Sequence, residues 1–128
     1  MTGIYVHIPF CKTRCKYCDF FSTTDLEKRA QYVNALLTEW QDRSIEPSTI
    51  STIYIGGGTP STLQLEYLQA IVGKWKVEGV EVTLEANPGD ITQEKAHAWR
   101  RMGINRLSIG IQTFDDDLLR LIGRRHTA

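Results

Sequence analysis

Ser51-Thr52-Ile53-Tyr54-Ile55-Gly56-Gly57-Gly58-Thr59-Pro60 opens as a β-type run and stops on consecutive glycines and a proline. Ser61 or Thr62 then starts a helix whose apolar edge is Leu65, Leu68, Val72 and Trp75. Strand, glycine turn and helix make one β/α unit, and the same unit recurs on both sides of it. Upstream, Gly3 to Ile8 is a short strand with Ile4, Val6 and Ile8 on one face. Leu26, Ala30, Val33, Leu37 and Trp40 follow at spacings of four and three, an apolar helical stripe. Thr24 and Asp25 are its capping candidates, and Glu46-Pro47-Ser48 ends it. Downstream, Val80 to Glu85 reads as a third strand, closed by Ala86-Asn87-Pro88-Gly89. Thr92 caps a helix running to Met102, with Gly103 at its C′ position. Asn105 to Ile111 is the fourth strand. Asp115, Asp116 and Asp117 open a last helix bearing Leu118, Leu119 and Ile122, where the helix dipole favours acids.

Strands that each lead into a helix pair in parallel through right-handed crossovers, so the fold class is α/β. A doubly wound sheet and part of a (β/α) barrel both satisfy that pattern. Arg124, Arg125 and His126 stop the pattern before a closing strand, so a barrel would be incomplete and its last strand would carry an unpaired edge. The 128 residues amount to one domain's worth. Fifteen basic residues balance fifteen acidic ones, which excludes the basic excess of a nucleic-acid-coating protein. At 41% hydrophobic and 23% charged the chain has globular rather than disordered composition. Trp40, Trp75 and Trp99 fall on apolar helix faces and read as core. Met1 to Tyr5 lacks the basic start of a signal peptide, and no apolar run approaches a membrane span. The expected location is cytoplasmic.

In parallel β/α folds the site lies at the C-terminal ends of the strands. Those ends here lead to Cys11, to Gly56-Gly57-Gly58, to Glu85 and to Gln112, so four strands deliver candidate residues to one rim. The chain's three cysteines, Cys11, Cys15 and Cys18, all fall in one short window. An odd, clustered set is not a disulfide framework; it reads as metal ligands in a reducing compartment. Three thiolates suit an iron–sulfur cluster with one open iron, while a zinc site of Cys11, Cys15, Cys18 and His7 is the alternative. Lys12, Arg14 and Lys16 bring positive charge that favours thiolates. The glycines fit neither the Walker A nor the GxGxxG pattern; they suit either a ligand loop or a tight turn. Glu85 suits a ribose diol and Gln112 a polar ligand edge. Tyr5 and His7 alternate with the apolar face of the first strand and would point into a barrel interior.

Cys11-x3-Cys15-x2-Cys18, with an aromatic before the third cysteine, resembles the cluster loop of radical S-adenosylmethionine (SAM) enzymes. Tyr5-Val6-His7-Ile8-Pro9-Phe10-Cys11, Cys18-Asp19-Phe20, Gly56-Gly57-Gly58-Thr59-Pro60-Ser61, Glu85-Ala86-Asn87-Pro88-Gly89, Gly103-Ile104-Asn105-Arg106 through Gln112, and Gly123-Arg124-Arg125-His126 narrow the resemblance. Together, and over nearly the whole chain, they resemble the oxygen-independent coproporphyrinogen III oxidase family. The oxidases carry a further cysteine two residues after the third; Phe20 stands there in this chain. The resemblance is therefore to the oxidase-like branch regarded as heme chaperones, with an authentic oxidase as the alternative.

That resemblance implies a partial TIM-like barrel, with about four β/α units visible of an expected six. Residues 1–128 would be the N-terminal portion of the core, with a cluster loop at 9–23, and the remaining barrel and a C-terminal domain would lie outside. It also implies that Cys11, Cys15 and Cys18 ligate a [4Fe–4S] cluster, and that Phe20 packs against it. Tyr5, Gly57, Gly58, Thr59 and Glu85 would contact SAM, with Gln112 and Arg124 near a second SAM or the substrate. Reductive cleavage of SAM would yield a 5′-deoxyadenosyl radical. Heme or a porphyrin is the implied substrate or cargo. A flavodoxin or ferredoxin is the implied electron donor, and a heme-requiring protein the implied acceptor.

Overall fold

The computed structural model describes residues 1–75 and 78–128. Among them, four strands form one parallel sheet: β1 (Thr2–Ile8), β2 (Ile50–Gly57), β3 (Glu81–Ala86) and β4 (Arg106–Ile109), in the order β1-β2-β3-β4. Sequential order with every pair parallel is single winding, the progression of a β/α barrel; a doubly wound sheet would reverse direction. The connecting helices are α1 (Arg29–Arg43), α2 (Leu65–Val72) and α3 (Gln93–Met102), and α4 (Asp116–Leu121) follows β4. α2 packs against both α1 and α3. No described helix is long and apolar enough to cross a membrane.

Alternation along the strands sorts the two faces of the sheet. Val6, Ile8, Ile53, Ile55, Val82 and Leu84 are buried under the helices with Leu68, Ile71 and Trp99, and each such burial contributes about 1.5–3 kcal/mol. The other face carries Tyr5, stacked on its register partner Tyr54 with ring centroids 6.2 Å apart, and, one residue pair nearer the rim, His7 opposite Gly56. Tyr5 is 59% exposed, so the interior expected for it is an open concave surface here. All four residues of β4 are exposed, as expected of a strand with an unpaired edge.

Several local expectations shift. The helix after the cysteine loop begins with a 3-10 turn at Leu26–Lys28, and α1 starts at Arg29. Asp25 makes no capping hydrogen bond and pairs instead with Lys28 at 3.2 Å. That rotation leaves Ala30 exposed and turns Tyr32 and Leu36 inward beside Val33 and Leu37. Ser61 and Thr62 lie in a 3-10 turn, Pro60–Thr62, and cap nothing; α2 starts at Leu65 behind Gln64. β4 is shorter than expected. Asn105 precedes it and adds its side chain to its backbone bond to Val82 O, with Oδ1 accepting from Val82 N at 2.8 Å and Nδ2 donating to Val80 O at 2.9 Å. The Thr92 cap (to Lys95 N, 3.2 Å), left-handed Gly103 and the Asp115 cap of α4 form as expected. Trp75 and Trp99 are buried; Trp40 is half-buried and meets Trp75 edge-on with centroids 4.9 Å apart.

Candidate functional site

β1 ends at Ile8, and the next residues are held by the neighbouring unit. Gly58 N donates to Ile8 O at 2.8 Å and Thr59 N to Phe10 O at 2.8 Å, so the run after β2 continues the pairing beyond the sheet. Cys11 N donates to Thr23 O at 2.9 Å and Thr23 N to Pro9 O at 2.7 Å. The cysteine loop is thus pinched shut at its base, with its first end fixed against the glycine turn and its second against the first.

Those bonds need the backbones close together, which explains two of the glycines. Gly57 has φ +119°, where a side chain is strained. A Cβ on Gly58 would lie 2.8 Å from Pro9 C and 2.9 Å from Cys11 Sγ. Between the ligand-loop and tight-turn readings, the glycines serve first as the surface on which the cysteine loop is seated.

Cys11, Cys15, Cys18, Phe20, Gly57, Gly58, Thr59, Glu85, Gln112 and Arg124 all line one cavity of about 280 Å³ at the C-terminal rim of the sheet. Tyr5 does not line it. The Tyr5 hydroxyl lies 3.0 Å from His7 Nδ1, and Tyr5 reaches the cavity only through its stack on Tyr54. His7 is also elsewhere. Its Nε2 donates to Phe21 O at 2.9 Å, which leaves Nδ1 to accept from Tyr5. Both ring nitrogens are thereby engaged, and the Cys3His zinc set is not brought together.

Sulfur is met by donors. Thr59 Oγ1 donates to Cys11 Sγ at 3.3 Å, and Arg124 Nη1 to Cys15 Sγ at 3.6 Å. Both sulfurs therefore have a donor from outside the cysteine loop. Among the described residues no three His, Cys, Asp or Glu side chains converge on one point as ligands of a single ion do. The sulfurs ring the cavity instead, which suits a group of several metal atoms that each take one thiolate. Arg124 Nε is buried without a hydrogen-bond partner, an unused donor at the wall of the same cavity.

Opposite the sulfurs, Glu85 accepts from Tyr54 OH at 2.7 Å through Oε1 and from Gly57 N at 3.2 Å through Oε2. The bond to Glu85, with burial adding to it, raises the Tyr54 pKa above its ordinary value. Burial, then the Glu85 charge, raises that of Tyr5. Gln112 has φ +68°, a left-handed conformation uncommon for a residue with a side chain. Such local strain costs on the order of 1–3 kcal/mol and gathers at binding sites.

A residue behind the cavity wall escaped the sequence reading, as did Asn87 and Ser108, which line the cavity itself. Asp90 is buried, with Oδ1 3.0 Å from Lys12 Nζ and Oδ2 accepting from Ser61 Oγ at 3.0 Å. Asn87-Pro88-Gly89-Asp90 reads as an ordinary turn, and nothing local in it marks a carboxylate for burial.

Comparison with known proteins agrees with this geometry. The family model described as the Radical SAM superfamily matches residues 5–128. The chain is 43% identical over 129 residues to the heme chaperone HemW of Lactococcus lactis subsp. lactis, covering 96% of this chain and 34% of that protein. It is 40% identical over 136 residues to the heme chaperone HemW of Bacillus subtilis, covering 98% and 36%. Among solved structures, coproporphyrinogen III oxidase (HemN) from Escherichia coli superposes with a TM-score of 0.85 at 29% identity, over 97% of this chain and 31% of that one. The chain spans about a third of the length of the relatives it matches. With a family match over almost its entire length and a cysteine-lined cavity at the rim of a singly wound sheet, the chain belongs to the radical SAM superfamily.

Proposed function

We propose that this chain is the [4Fe–4S] cluster- and SAM-binding portion of a heme chaperone-like protein of porphyrin and heme metabolism. The observation that carries the reading is the ring of three sulfurs in one cavity, with Thr59 and Arg124 donating to two of them. Cys11, Cys15 and Cys18 would hold three irons, leaving a fourth open to SAM. When bound, the cluster supplies the electron for reductive cleavage of the SAM sulfonium.

This chain's own residues do the holding. Gly57 and Gly58 let backbone approach SAM without a Cβ in the way. The Glu85 carboxylate, aligned by Tyr54 and Gly57 N, accepts from the ribose diol. Thr59 fixes Cys11, Phe20 would pack against the cluster, and Gln112 and Arg124 would hold a second SAM or the substrate. Tyr5 acts at one remove, through Tyr54. Heme is the proposed cargo, for two reasons: the HemW relatives are called heme chaperones, and Phe20 stands where the oxidases place a further cysteine. A cytoplasmic setting, a flavodoxin or ferredoxin as donor and a heme-accepting protein complete the proposal.

A second reading, an authentic coproporphyrinogen III oxidase, is favoured by the superposition on HemN. Anaerobic reconstitution of the complete protein of which this chain is proposed to be a portion tests both. About four irons with matching sulfide per chain, together with heme binding and no turnover of coproporphyrinogen, is the expected result. Turnover would select the oxidase, and one zinc without sulfide would overturn the proposal.

A further inference from the structure

Among the described residues Asp90 is the one charged side chain that is buried. It lies in the 3-10 turn Pro88–Asp90 between β3 and α3, and it touches three other segments at once. Oδ1 takes Lys12 Nζ at 3.0 Å and faces Arg125 Nη2 at 3.8 Å, while Oδ2 accepts from Ser61 Oγ at 3.0 Å. Ser61 Oγ in turn accepts from Asn87 N at 3.1 Å, closing the turn back on itself.

Each partner stands beside a residue that touches cysteine sulfur. Lys12 follows Cys11. Ser61 comes two residues after Thr59, whose hydroxyl donates to Cys11 Sγ. Arg125 follows Arg124, whose guanidinium donates to Cys15 Sγ. An ion pair with one buried partner adds little net stability compared with apolar packing of the same volume; what this one does is tie together three segments that are distant in the chain. We infer that Asp90 is a positioning residue: its carboxylate gathers Lys12, Ser61 and Arg125, and so sets where Cys11, Thr59 and Arg124 present sulfur, hydroxyl and guanidinium. The inference rests on the reading that the three cysteines hold a cluster.

The test uses the full chain carrying Asp90→Asn, Lys12→Met, or both. In the metal-free protein, alkylation of Cys11 and Cys18 by iodoacetamide is followed peptide by peptide. After anaerobic reconstitution with iron and sulfide, loss of iron to a chelator and the visible circular dichroism of the bound cluster are recorded. Each single variant is expected to speed Cys11 alkylation and iron loss by about tenfold, the low end of the scale of one charge-assisted hydrogen bond, as suits a lysine that is half exposed. The cluster dichroism changes with them, Cys18 alkylation and the far-ultraviolet dichroism do not, and the double variant goes no further than Asp90→Asn, because both changes break one contact. Unchanged rates overturn the inference, as do factors that multiply in the double variant or a Cys18 rate that rises with that of Cys11. Should Asp90→Asn fail to fold, Lys12→Met decides alone, since the Lys12 side chain is 46% exposed and Ser61 and Arg125 still face the Asp90 carboxylate without it; an unchanged Cys11 rate then overturns the inference. An unaltered chain that takes up no iron and sulfide would defeat the cluster reading instead, while the alkylation arm still judges Asp90.

Discussion

Arg124 Nη1 lies 3.6 Å from Cys15 Sγ, and Nη2 of the same guanidinium donates to Gly110 O. A cation from the end of the last β/α unit thus rests on sulfur delivered by the first. Positive charge beside a ligand sulfur stabilises the reduced, more negative state of a cluster. Arg124→Met is therefore expected to lower the cluster's midpoint potential, on the order of tens of millivolts, with Arg124→Lys between the two. A redox titration followed by electron paramagnetic resonance reads the shift, and an unmoved potential would remove Arg124 from the sulfur's environment.

Cys15→Ala leaves two thiolates for a cluster proposed to take three. Iron and sulfide retained after desalting should fall to a small fraction of the unaltered chain's, with loss of the broad visible absorbance. Full retention would mean that the ligand assignment is wrong.

At Gly58 an added methyl group would meet Pro9 C at 2.8 Å and Cys11 Sγ at 2.9 Å. Pro9 C is backbone and cannot swing aside, so the cysteine loop must lift from the glycine turn. Gly58→Ala is expected to destabilise the fold by about 1–3 kcal/mol, as overpacking does. Thermal melting measures that cost, and iron uptake should fall with it.

The Tyr54–Glu85 bond carries a pH dependence of known sign. Glu85 raises the Tyr54 pKa first by accepting its proton in a hydrogen bond, and burial adds to the effect. A phenol whose folded pKa exceeds its unfolded value binds more protons when folded. Its contribution to stability is therefore whole below the ordinary tyrosine pKa, about 10, and is lost as pH rises through the raised one. Ultraviolet difference absorbance should show late-titrating tyrosines, Tyr5 among them, and Tyr54→Phe should lower the amplitude of that late phase by one tyrosine's share. A late phase of unchanged amplitude in Tyr54→Phe would remove Tyr54 from it.

The alternation of strands and helices was legible because parallel strands under helices bury one face continuously, so Ile4, Val6 and Ile8, or Ile53 and Ile55, declare themselves by spacing. The rim followed from it, since glycines and cysteines fell at strand ends. What escaped depends on partners far off in the chain. Ser61 looks like a helix cap until its hydroxyl is seen to be committed to Asp90, 29 residues on. Asp90 reads as a turn residue because its chief partner, Lys12, is 78 residues away. Ala30 was misplaced by phase: the 3-10 turn at Leu26–Lys28 rotates the helix that follows. Nothing in composition signals the positive φ of Gln112, which the surrounding fold imposes.

Because Cys11 is seated on Gly58 and Thr59 rather than on its own strand, synthesis of the chain runs ahead of the site. When the ribosome has made the thiols, the shelf that receives them is still some forty residues unwritten, and the Arg124 clamp on Cys15 comes last. A nascent chain therefore carries three loose thiols before it carries a pocket, and metal loading belongs to the period after the fourth unit has closed.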